Sequence, residues 1–371
     1  MATESSLRSR LARGLDAPIC LTWELTYACN LACTHCLSSS GRRDPNELTT
    51  SEALALIDEI AAMKVFYINV GGGEPMIRRD FFEIVEHAVS RGIGVKFSTN
   101  GTRIDARSAR RLATIDYLDV QISIDGADAR TSDLVRGVGS YAAARRAMDH
   151  LRDASFGPFK VSVVMTRDSV EQLDDLEALA RGYGAQLRLT RLRPSGRGAD
   201  VWESLHPTPE QSRRLYHWLL ERPDVLTGDS FFHLSALGDP LAGVNLCGAG
   251  RVVCLIDPVG DVYACPFVIH DEFRAGSVRV AGFASLWRES ELFASLRAPD
   301  SPGACTSCGA YDACRGGCMA AKFFTGLERT DPDPECVFGH GEVALAQRRI
   351  AVRPTPTPDH SRRVPVAISL R

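Results

Sequence analysis

The chain has 371 residues, of which 44% are apolar and 24% are charged, and its formal net charge is −3. This composition is typical of a globular protein with a sizeable core and gives no sign of a nucleic-acid-binding protein. No apolar run approaches the length of about 18 residues that a membrane-spanning helix needs. The polar, basic stretch 1–15 lacks the apolar centre of a secretory signal. We therefore predict a cytoplasmic protein with no nucleic-acid or membrane partner.

The twelve cysteines fall into two groups, with Cys20 apart as an expected core residue. Eight lie between 247 and 336, and three form a C-x3-C-x2-C loop directly after the apolar run 19–25: Cys29, Cys33 and Cys36. Disulfides are disfavoured in a reducing compartment, so clustered cysteines indicate metal. Three thiolates on one loop suit three corners of a cubane iron–sulfur cluster whose fourth iron stays open. A structural zinc site with a distant fourth ligand is the alternative.

Predicted strands alternate with predicted helices along the first part of the chain. The strands are predicted at 21–26, 65–70, 94–98, 118–124, 160–166 and 186–192. The helices are predicted at 53–63, 81–90, 106–115, 141–154, 170–182 and 210–220. This alternation predicts an α/β fold, a parallel sheet with covering helices. Cysteines, glycines and polar residues follow the strands, which favours a βα barrel with its chemistry at the carboxyl ends of the strands. A doubly wound sheet is the alternative architecture.

The regular alternation of predicted strands and helices ends near residue 237, which predicts a second domain. We predict an N-terminal arm at 1–17, a barrel at 18–236, a small cysteine-rich domain at 237–340 and a flexible, proline-rich tail at 341–371. Short β-like pieces and glycine turns surround the eight cysteines of the third segment. Its apolar content is modest, so metal is needed to hold its fold. Two structural zinc sites are the alternative use of eight thiols.

Two motifs together resemble the radical S-adenosylmethionine superfamily. They are the C-x3-C-x2-C loop after the first strand and the segment 71–74, Gly-Gly-Gly-Glu, that ends the second. The eight-cysteine segment resembles the SPASM subgroup of that superfamily, whose members carry two auxiliary [4Fe–4S] clusters. The resemblance implies a partial (β/α)6 TIM-like barrel followed by a SPASM domain, with three [4Fe–4S] clusters and S-adenosylmethionine as cofactors. The runs 21–27, 36–41, 191–198, 227–233 and 319–326 resemble one class within the subgroup, the mycofactocin maturases.

The resemblance also implies which residues hold S-adenosylmethionine. The C-x3-C-x2-C thiols bind the first cluster, and its open iron takes the amino and carboxylate groups of the methionine part. The residues expected to contact the cofactor are Gly71, Gly72, Gly73 and Glu74 at the methionine amine, Ser98 and Asn100 at the ribose or adenosyl part, and Ser123 and Arg136 at the methionine carboxylate. Glycines allow close backbone approach, and a carboxylate suits an ammonium group. Plain turns at 71–75 and 98–101 and an ordinary surface arginine at 136 are the alternatives.

In relatives the auxiliary clusters divide their thiols out of chain order. By that analogy the first auxiliary cluster is expected on Cys247, Cys254, Cys265 and Cys318, and the second on Cys305, Cys308, Cys314 and Cys336. Cys254 lies outside the seven-cysteine signature of the subgroup. If it is not a ligand, the first auxiliary cluster has an open iron that could bind peptide.

Two positions depart from related enzymes. His35 stands where many members of the superfamily have an aromatic hydrocarbon ring, and it could pack against the adenine. Pro266 follows Cys265, where sulfatase-maturing relatives carry an acidic residue that acts as a base. The proline argues against the serine or cysteine oxidation of those enzymes.

The class implies an enzyme that acts on a ribosomally made precursor peptide ending in Val-Tyr. The tyrosine is oxidatively decarboxylated and then joined to the valine by a carbon–carbon bond. Arg191, Arg193 and Arg197 could meet the C-terminal carboxylate of the peptide, but a solvated basic face is the favoured interpretation. A small leader-peptide-binding chaperone protein and an external electron donor are predicted partners. Another SPASM-type maturase that makes a thioether or other cross-link, and a zinc-binding scaffold protein, remain as alternatives.

Overall fold

The six predicted strands form one parallel sheet. A computed structural model describes residues 10–227, 231–241, 246–298 and 301–348. The strands are β1 (Cys20–Thr26), β2 (Tyr67–Gly72), β3 (Gly94–Thr99), β4 (Leu118–Ser123), β5 (Lys160–Met165) and β6 (Gln186–Arg191). Each strand pairs in parallel with the next along the chain, which confirms the predicted α/β class and the order expected of a partial barrel. A doubly wound sheet reverses its strand order at a switch point, so that alternative is wrong.

Helices follow the strands and cover the outer face of the sheet. They are α1 (Thr50–Ala62), α2 (Phe81–Ser90), α3 (Ala106–Leu112), α4 (Ala129–Arg136), α5 (Ser140–Asp153), α6 (Leu173–Gly182), α7 (Gly198–Leu205) and α8 (Pro209–Leu220). The start of α1 is fixed by a capping box between Thr49 and Glu52. Helices α4 and α7 were not predicted. In α4, only three of the eight residues are aliphatic, so the sequence lacks a clear apolar stripe.

The cysteine-rich segment continues the barrel sheet. Its strands are β7 (Val253–Ile256), β8 (Asp261–Tyr263) and β9 (Arg274–Ser277), and β7 pairs in parallel with β1 to give a nine-stranded sheet. Its helices are α9 (Val278–Ala281), α10 (Phe283–Glu289), α11 (Glu291–Arg297), α12 (Tyr311–Cys314) and α13 (Met319–Phe324). Short 3-10 helices occur at Pro75–Ile77, Ser169–Gln172, Phe231–Leu237, Asp271–Phe273 and Gly303–Cys305. The domain boundary at 237 stays a prediction.

The predicted tail begins later than residue 341. His340–Arg348 forms helix α14, in which Arg348 lies 3.0 Å from carboxylate oxygens of both Glu328 and Asp331. The prediction of a flexible segment is therefore wrong for 341–348, because these ion pairs tie the helix to the preceding loop. The rest of the tail, 349–371, and residues 1–9 of the predicted arm lie outside the described residues. Within the described ranges, no helix is long and apolar enough to cross a bilayer.

The two faces of the sheet differ in polarity. On β3, Val95 and Phe97 are fully buried on the outer face, and the Phe97 ring meets Phe81 of α2 edge-on at 5.0 Å between centroids. Lys96 and Ser98 alternate with them and point to the inner face, as a period of two requires. A closed βα barrel fills its interior with branched apolar side chains. The inner face of this open barrel is instead polar.

We predict that Phe97→Ala lowers the free energy of unfolding by about 3–5 kcal/mol, because it leaves a cavity between β3 and α2. Urea denaturation followed by circular dichroism would measure the change. Phe66→Ala is the matched control, since the Phe66 side chain is 65% exposed and its loss should change the free energy by no more than about 0.5 kcal/mol. Equal effects of the two substitutions would contradict the assignment of Phe97 to the core.

Candidate active site

The C-x3-C-x2-C loop leaves the carboxyl end of β1 and is fastened to its surroundings by backbone hydrogen bonds. The Cys29 N–H donates to the Gly41 carbonyl at 2.8 Å, and the Glu74 N–H donates to the Ala28 carbonyl at 2.8 Å. Burial, with smaller effects of Glu74 and of the neighbouring Cys33 and Cys36, raises the pKa of the Cys29 thiol to about 12. The three thiols therefore share one site. A bound metal is what would deprotonate such thiols, so the residues present fit a thiolate-bound iron–sulfur cluster.

The three glycines after β2 have different surroundings. A Cβ on Gly73 would lie 2.0 Å from the carbonyl oxygen of Ala28, and one on Gly72 would lie 2.5 Å from that of Thr26. These two glycines pack against the cysteine loop and its strand. A Cβ on Gly71 would meet nothing within 4 Å. Gly71 is therefore the position of the three where a ligand could approach the backbone.

Glu74 fastens the ends of two strands together. Its carboxylate is fully buried and accepts hydrogen bonds from the Thr99 hydroxyl at 2.9 Å, the Asn100 N–H at 2.8 Å and the Met76 N–H at 3.2 Å. Burial raises its pKa to about 7 despite these donors. These three donors fill all but one of the roughly four acceptor positions of the carboxylate. Glu74 thus has a structural role at the strand ends, and its contact with the methionine amine stays a prediction.

The polar residues expected at the adenosyl part lie at the ends of β3 and β4. Ser98 faces the inner side of the barrel and accepts a hydrogen bond from Gln121 Nε2 at 3.0 Å. Ser123 ends β4 with the same alternation and aligns with Ser162 of β5. Asn100 donates through Nδ2 to Asn30 Oδ1 at 3.0 Å, which ties this turn to the cysteine loop. Ser98 and Ser123 line the inner face, whereas the Asn100 side chain is engaged in the loop.

Arg136 belongs to a buried polar cluster beside the first thiols. Its Nε lies 2.6 Å from Asp125 Oδ2, and His35 Nε2 lies 2.7 Å from the same oxygen. Burial opposes ionisation of Asp125, but the charges of Arg136 and His35 hold its pKa well below its usual range. The Arg136 side chain is only 11% exposed, so the surface-arginine alternative is wrong. The sequence leaves Asp125, which follows β4 and precedes Gly126, open between a ligand contact and a helix cap; the structure makes it the partner of Arg136 and His35.

Three cysteines of the predicted first auxiliary set lie together. Burial raises the pKa of Cys265 well above its ordinary value, and Cys247 and Cys318 raise it further. Cys254 lies elsewhere. It is fully buried in β7 opposite Leu21 of β1, and the one thiol that raises its pKa alongside burial is Cys20. The structure therefore does not bring Cys254 to the other three, because the strand alternation turns its side chain into the apolar core.

The second auxiliary set surrounds one cavity. All four thiols line it, together with His233, Asp333 and Phe338: Cys305, Cys308, Cys314 and Cys336. The twelve cysteines are free of disulfides. Four thiols around one cavity fit a four-ligand iron–sulfur cluster. In the described part of the chain, no three His, Cys, Asp or Glu side chains are close enough to hold a single metal ion.

Lys322 lies between the two auxiliary sets. It is buried, and its Nζ donates to the carbonyl oxygens of Arg329 at 2.7 Å and Asp331 at 3.2 Å. Its charge lowers the pKa of Cys247 in one set and of Cys305 in the other, against the larger effect of burial. The ammonium group therefore favours thiolates on both sides, as two anionic clusters would require.

A buried ion-pair network joins β6 to the cysteine-rich segment. Arg191 donates to both carboxylate oxygens of Asp333, at 3.0 and 2.5 Å, and through Nε to Glu335 Oε2 at 2.5 Å. Asp333 Oδ2 also accepts the N–H of Cys318 at 2.7 Å. Arg191 is 4% exposed. Its guanidinium is therefore committed to these two carboxylates and has no capacity left for a peptide carboxylate.

The two other arginines that follow β6 are also held inside the protein. The Arg193 guanidinium lies 4.3 Å from the Phe267 ring centroid, and this residue is 3% exposed. Arg197 donates to the carbonyl oxygens of Cys33 at 2.9 Å and Ser40 at 3.0 Å. The favoured interpretation of Arg191, Arg193 and Arg197 as a solvated basic face is wrong. The three guanidiniums hold the cysteine segments onto the barrel.

Comparison with known proteins agrees with this geometry. The model of the radical SAM superfamily matches residues 23–181, and that of the SPASM iron–sulfur cluster-binding domain matches residues 247–309. The solved structure of SuiB from Streptococcus suis bound to S-adenosylmethionine has the same fold, with a TM-score of 0.72 at 16% identity over 90% of this chain and 81% of that one. The fold and site thus define a radical S-adenosylmethionine enzyme with a SPASM domain.

Two relatives show to which family of these enzymes the chain belongs. The mycofactocin maturase MftC of Mycolicibacterium smegmatis is 63% identical over 371 residues, which cover 98% of this chain and 94% of that protein. The mycofactocin maturase MftC of Mycobacterium tuberculosis is 60% identical over 375 residues, which cover 98% and 95%. The chain therefore belongs to the mycofactocin maturase family. This assignment confirms the resemblance and removes the zinc-binding scaffold as an alternative.

We predict that Gly73→Ala releases the first cluster, because the added methyl group would push the backbone of Ala28 and the cysteine loop away from β2. Iron analysis should fall by the content of one cluster, and S-adenosylmethionine should no longer change the electron paramagnetic resonance spectrum of the reduced protein. Gly182→Ala in α6 is the control, since a Cβ there meets nothing within 4 Å. Unchanged iron in Gly73→Ala would contradict the packing described.

We predict that Asp333→Asn lowers the free energy of unfolding by about 3 kcal/mol, because it leaves the buried Arg191 with Glu335 alone. It should also reduce the iron bound by the auxiliary sites. Thermal unfolding and iron analysis measure the two effects. Glu328→Gln breaks the half-exposed pair with Arg348 and should change the stability by less than about 1 kcal/mol. Equal free energies of unfolding for Asp333→Asn and Glu328→Gln would contradict the prediction that the buried network stabilises the protein more than the exposed pair does.

Proposed function

We propose that this protein is the radical S-adenosylmethionine peptide maturase of mycofactocin biosynthesis. In this proposal it oxidatively decarboxylates the C-terminal tyrosine of a precursor peptide ending in Val-Tyr and then forms a Val–Tyr carbon–carbon bond. One observation carries it: the 63% identity to a mycofactocin maturase extends over 98% of the chain and thus includes both cysteine groups and the barrel between them. Pro266 supports the proposal, because no acidic side chain follows Cys265 to act as a base for serine or cysteine oxidation.

We propose three [4Fe–4S] clusters in this chain. The ligands are Cys29, Cys33 and Cys36 for the first; Cys247, Cys265 and Cys318 for the first auxiliary cluster; and Cys305, Cys308, Cys314 and Cys336 for the second. Cys254 is left out, because its position in β7 separates it from the other thiols. The first auxiliary cluster then keeps one iron open to a further ligand.

The barrel residues would position S-adenosylmethionine above the substrate. Bound at the first cluster, this cofactor supplies a radical that removes a hydrogen atom from the substrate. The exposed backbone of Gly71 would approach the methionine amine, while Ser98 and Ser123 would line the side toward the barrel interior. Arg136 would hold the methionine carboxylate with Asp125 fixing its orientation. Transfer of that hydrogen atom from the tyrosine Cβ to the radical and of one electron to a nearby iron–sulfur cluster, with loss of CO2, would leave an alkene in the peptide.

The proposed partners follow from this chemistry. The cleavage of S-adenosylmethionine consumes an electron, so an external donor must reduce the first cluster. A small leader-peptide-binding chaperone protein would deliver the precursor. We also propose a cytoplasmic location, because none of the twelve cysteines forms a disulfide, as is usual in a reducing compartment.

We predict that the anaerobically reconstituted enzyme, given reductant, S-adenosylmethionine and a Val-Tyr-ending precursor, produces a peptide that has lost the mass of formic acid. This is the sum of CO2 and the two hydrogens that oxidation removes. Mass spectrometry of the peptide measures it. The matched control is Cys33→Ser, which should abolish the change while leaving the auxiliary sites intact. A peptide that loses two hydrogens alone would favour the cross-linking alternative and contradict decarboxylation.

A further inference from the structure

The inner face of the barrel carries a cation that makes no direct ion pair among the described residues. Lys96 lies on β3 beside Asn69 of β2 and Asp119 of β4 in the strand register. Among the described residues its ammonium group makes no hydrogen bond and no ion pair. The side chain is half-buried, so it reaches into the barrel and not into bulk solvent. A partly desolvated charge without a partner is unfavourable unless a ligand pairs with it.

The charges around Lys96 do not neutralise it. Asp119 is the nearest carboxylate in register, but its Oδ2 is already in a close ion pair with Lys160. Burial and, to a smaller extent, the positive charge of Arg188 lower the pKa of Lys96 to about 8, while Cys20 and Asp119 raise it. Burial raises the pKa of the Cys20 thiol, which therefore stays neutral. Lys96 is thus still mostly protonated near neutral pH.

A buried hydrogen-bond acceptor that has no donor lies on β4, the strand next to β3. Gln121 is 4% exposed and donates through Nε2 to Ser98 Oγ at 3.0 Å. Its Oε1 is buried and has no hydrogen-bond partner. Buried amide oxygens are normally satisfied. Lys96 and Gln121 thus place a cation and a carbonyl acceptor on adjacent strands, which is the complement of the C-terminal end of a peptide: a carboxylate next to an amide N–H. Two further buried acceptors without a hydrogen-bond partner, Asn69 Oδ1 and Asp119 Oδ1, lie beside Lys96 in the strand register.

We propose that Lys96 binds the C-terminal carboxylate of the peptide substrate, while Gln121 Oε1 accepts the N–H of the terminal residue. The proposal rests on the proposed function, since it assumes a peptide that ends at the reacting tyrosine. Lys96 precedes Ser98 by two residues, so the two side chains are about 6.7 Å apart along the strand. A carboxylate held at Lys96 would place the tyrosine Cβ, two bonds away, on the side of Ser98 where S-adenosylmethionine is expected. Lys96 is then a positioning residue.

This contact also distinguishes the substrate from the product of the first step. Decarboxylation removes the anion that Lys96 binds, so the decarboxylated peptide keeps only its contacts elsewhere. The peptide end would then be free to turn within the barrel before the carbon–carbon bond to valine forms. Because Lys96 would bind only the peptide that still has its carboxylate, this one contact is enough to make decarboxylation the first step and carbon–carbon bond formation the second.

The test uses the holoenzyme with S-adenosylmethionine and the leader-peptide-binding chaperone but no reductant, so that the peptide is delivered and binds without reacting. A fluorescent precursor ending in free Val-Tyr and the same precursor ending in Val-Tyr amide are titrated, and the dissociation constants are read from fluorescence anisotropy. The wild type should bind the free acid about ten-fold more tightly than the amide, as expected for a charge-assisted hydrogen bond. Lys96→Met should reduce that ratio to near one, and Lys96→Arg should restore most of it. Lys64→Gln, at an exposed lysine, should leave the ratio unchanged.

The outcomes separate this inference from the proposed function. If the wild type decarboxylates the peptide but binds acid and amide equally, the inference is wrong and the proposed function stands. The same holds if Lys96→Met keeps the full preference for the acid. If the wild type neither binds nor modifies the precursor, the proposed function is wrong, and the inference with it. Iron content and circular dichroism check the folding of Lys96→Met, and the wild-type comparison of acid and amide decides the matter where that variant does not fold.

Discussion

The ion pair between Arg191 and Asp333 fixes the position of the cysteine-rich segment on the barrel. Both side chains are buried, and a buried charge is tolerated only when its partner is close and its remaining donors are satisfied. The Asp333 carboxylate satisfies this condition, because it accepts two hydrogen bonds from Arg191 and one from the backbone N–H of Cys318. Its own carbonyl accepts the N–H of Cys336 at 2.9 Å. One aspartate thus connects the last barrel strand to a cysteine of each auxiliary set.

The same segment holds the opposite edge of the sheet. Strand β7 pairs with β1, the strand from which the first cysteine loop leaves, while Asp333 binds the end of β6. A six-stranded partial barrel has two open edges, and exposed strand edges are prone to wrong pairing. The cysteine-rich segment covers one edge by hydrogen bonding and ties the other by charge. This explains why two regions more than 200 residues apart in sequence, around Cys29 and Cys247, form one structure.

The sequence predicts the barrel well because each strand carries two separate signals, an apolar outer row and a polar residue or glycine at its carboxyl end. The division of the eight later thiols into two sets came from the resemblance to relatives, and the structure groups them in the same way except for Cys254. That residue has the right chemistry, and only the register of β7 against β1 shows that its side chain enters the core. The prediction that the arginines after β6 form a solvated face was wrong for a related reason. Their partners, Asp333 and Glu335 for Arg191 and the Cys33 carbonyl for Arg197, are over 140 residues away, and local composition carries no trace of them.

The alternation that builds the core also builds the binding surface. Because side chains on a strand point to opposite faces in turn, the residues that place Val95 and Phe97 under the helices necessarily place Lys96 and Ser98 inside the barrel. A polar interior cannot stabilise the barrel by apolar packing, so stability must come from the outer face and from the cysteine-rich segment that joins both edges. The side chains of the inner face therefore do not have to stabilise the fold. The loop after β1 is held from outside by Arg197 and by the packing of Gly73. In the function proposed above, this loop forms the radical and the polar rows of β3 and β4 contact the substrate.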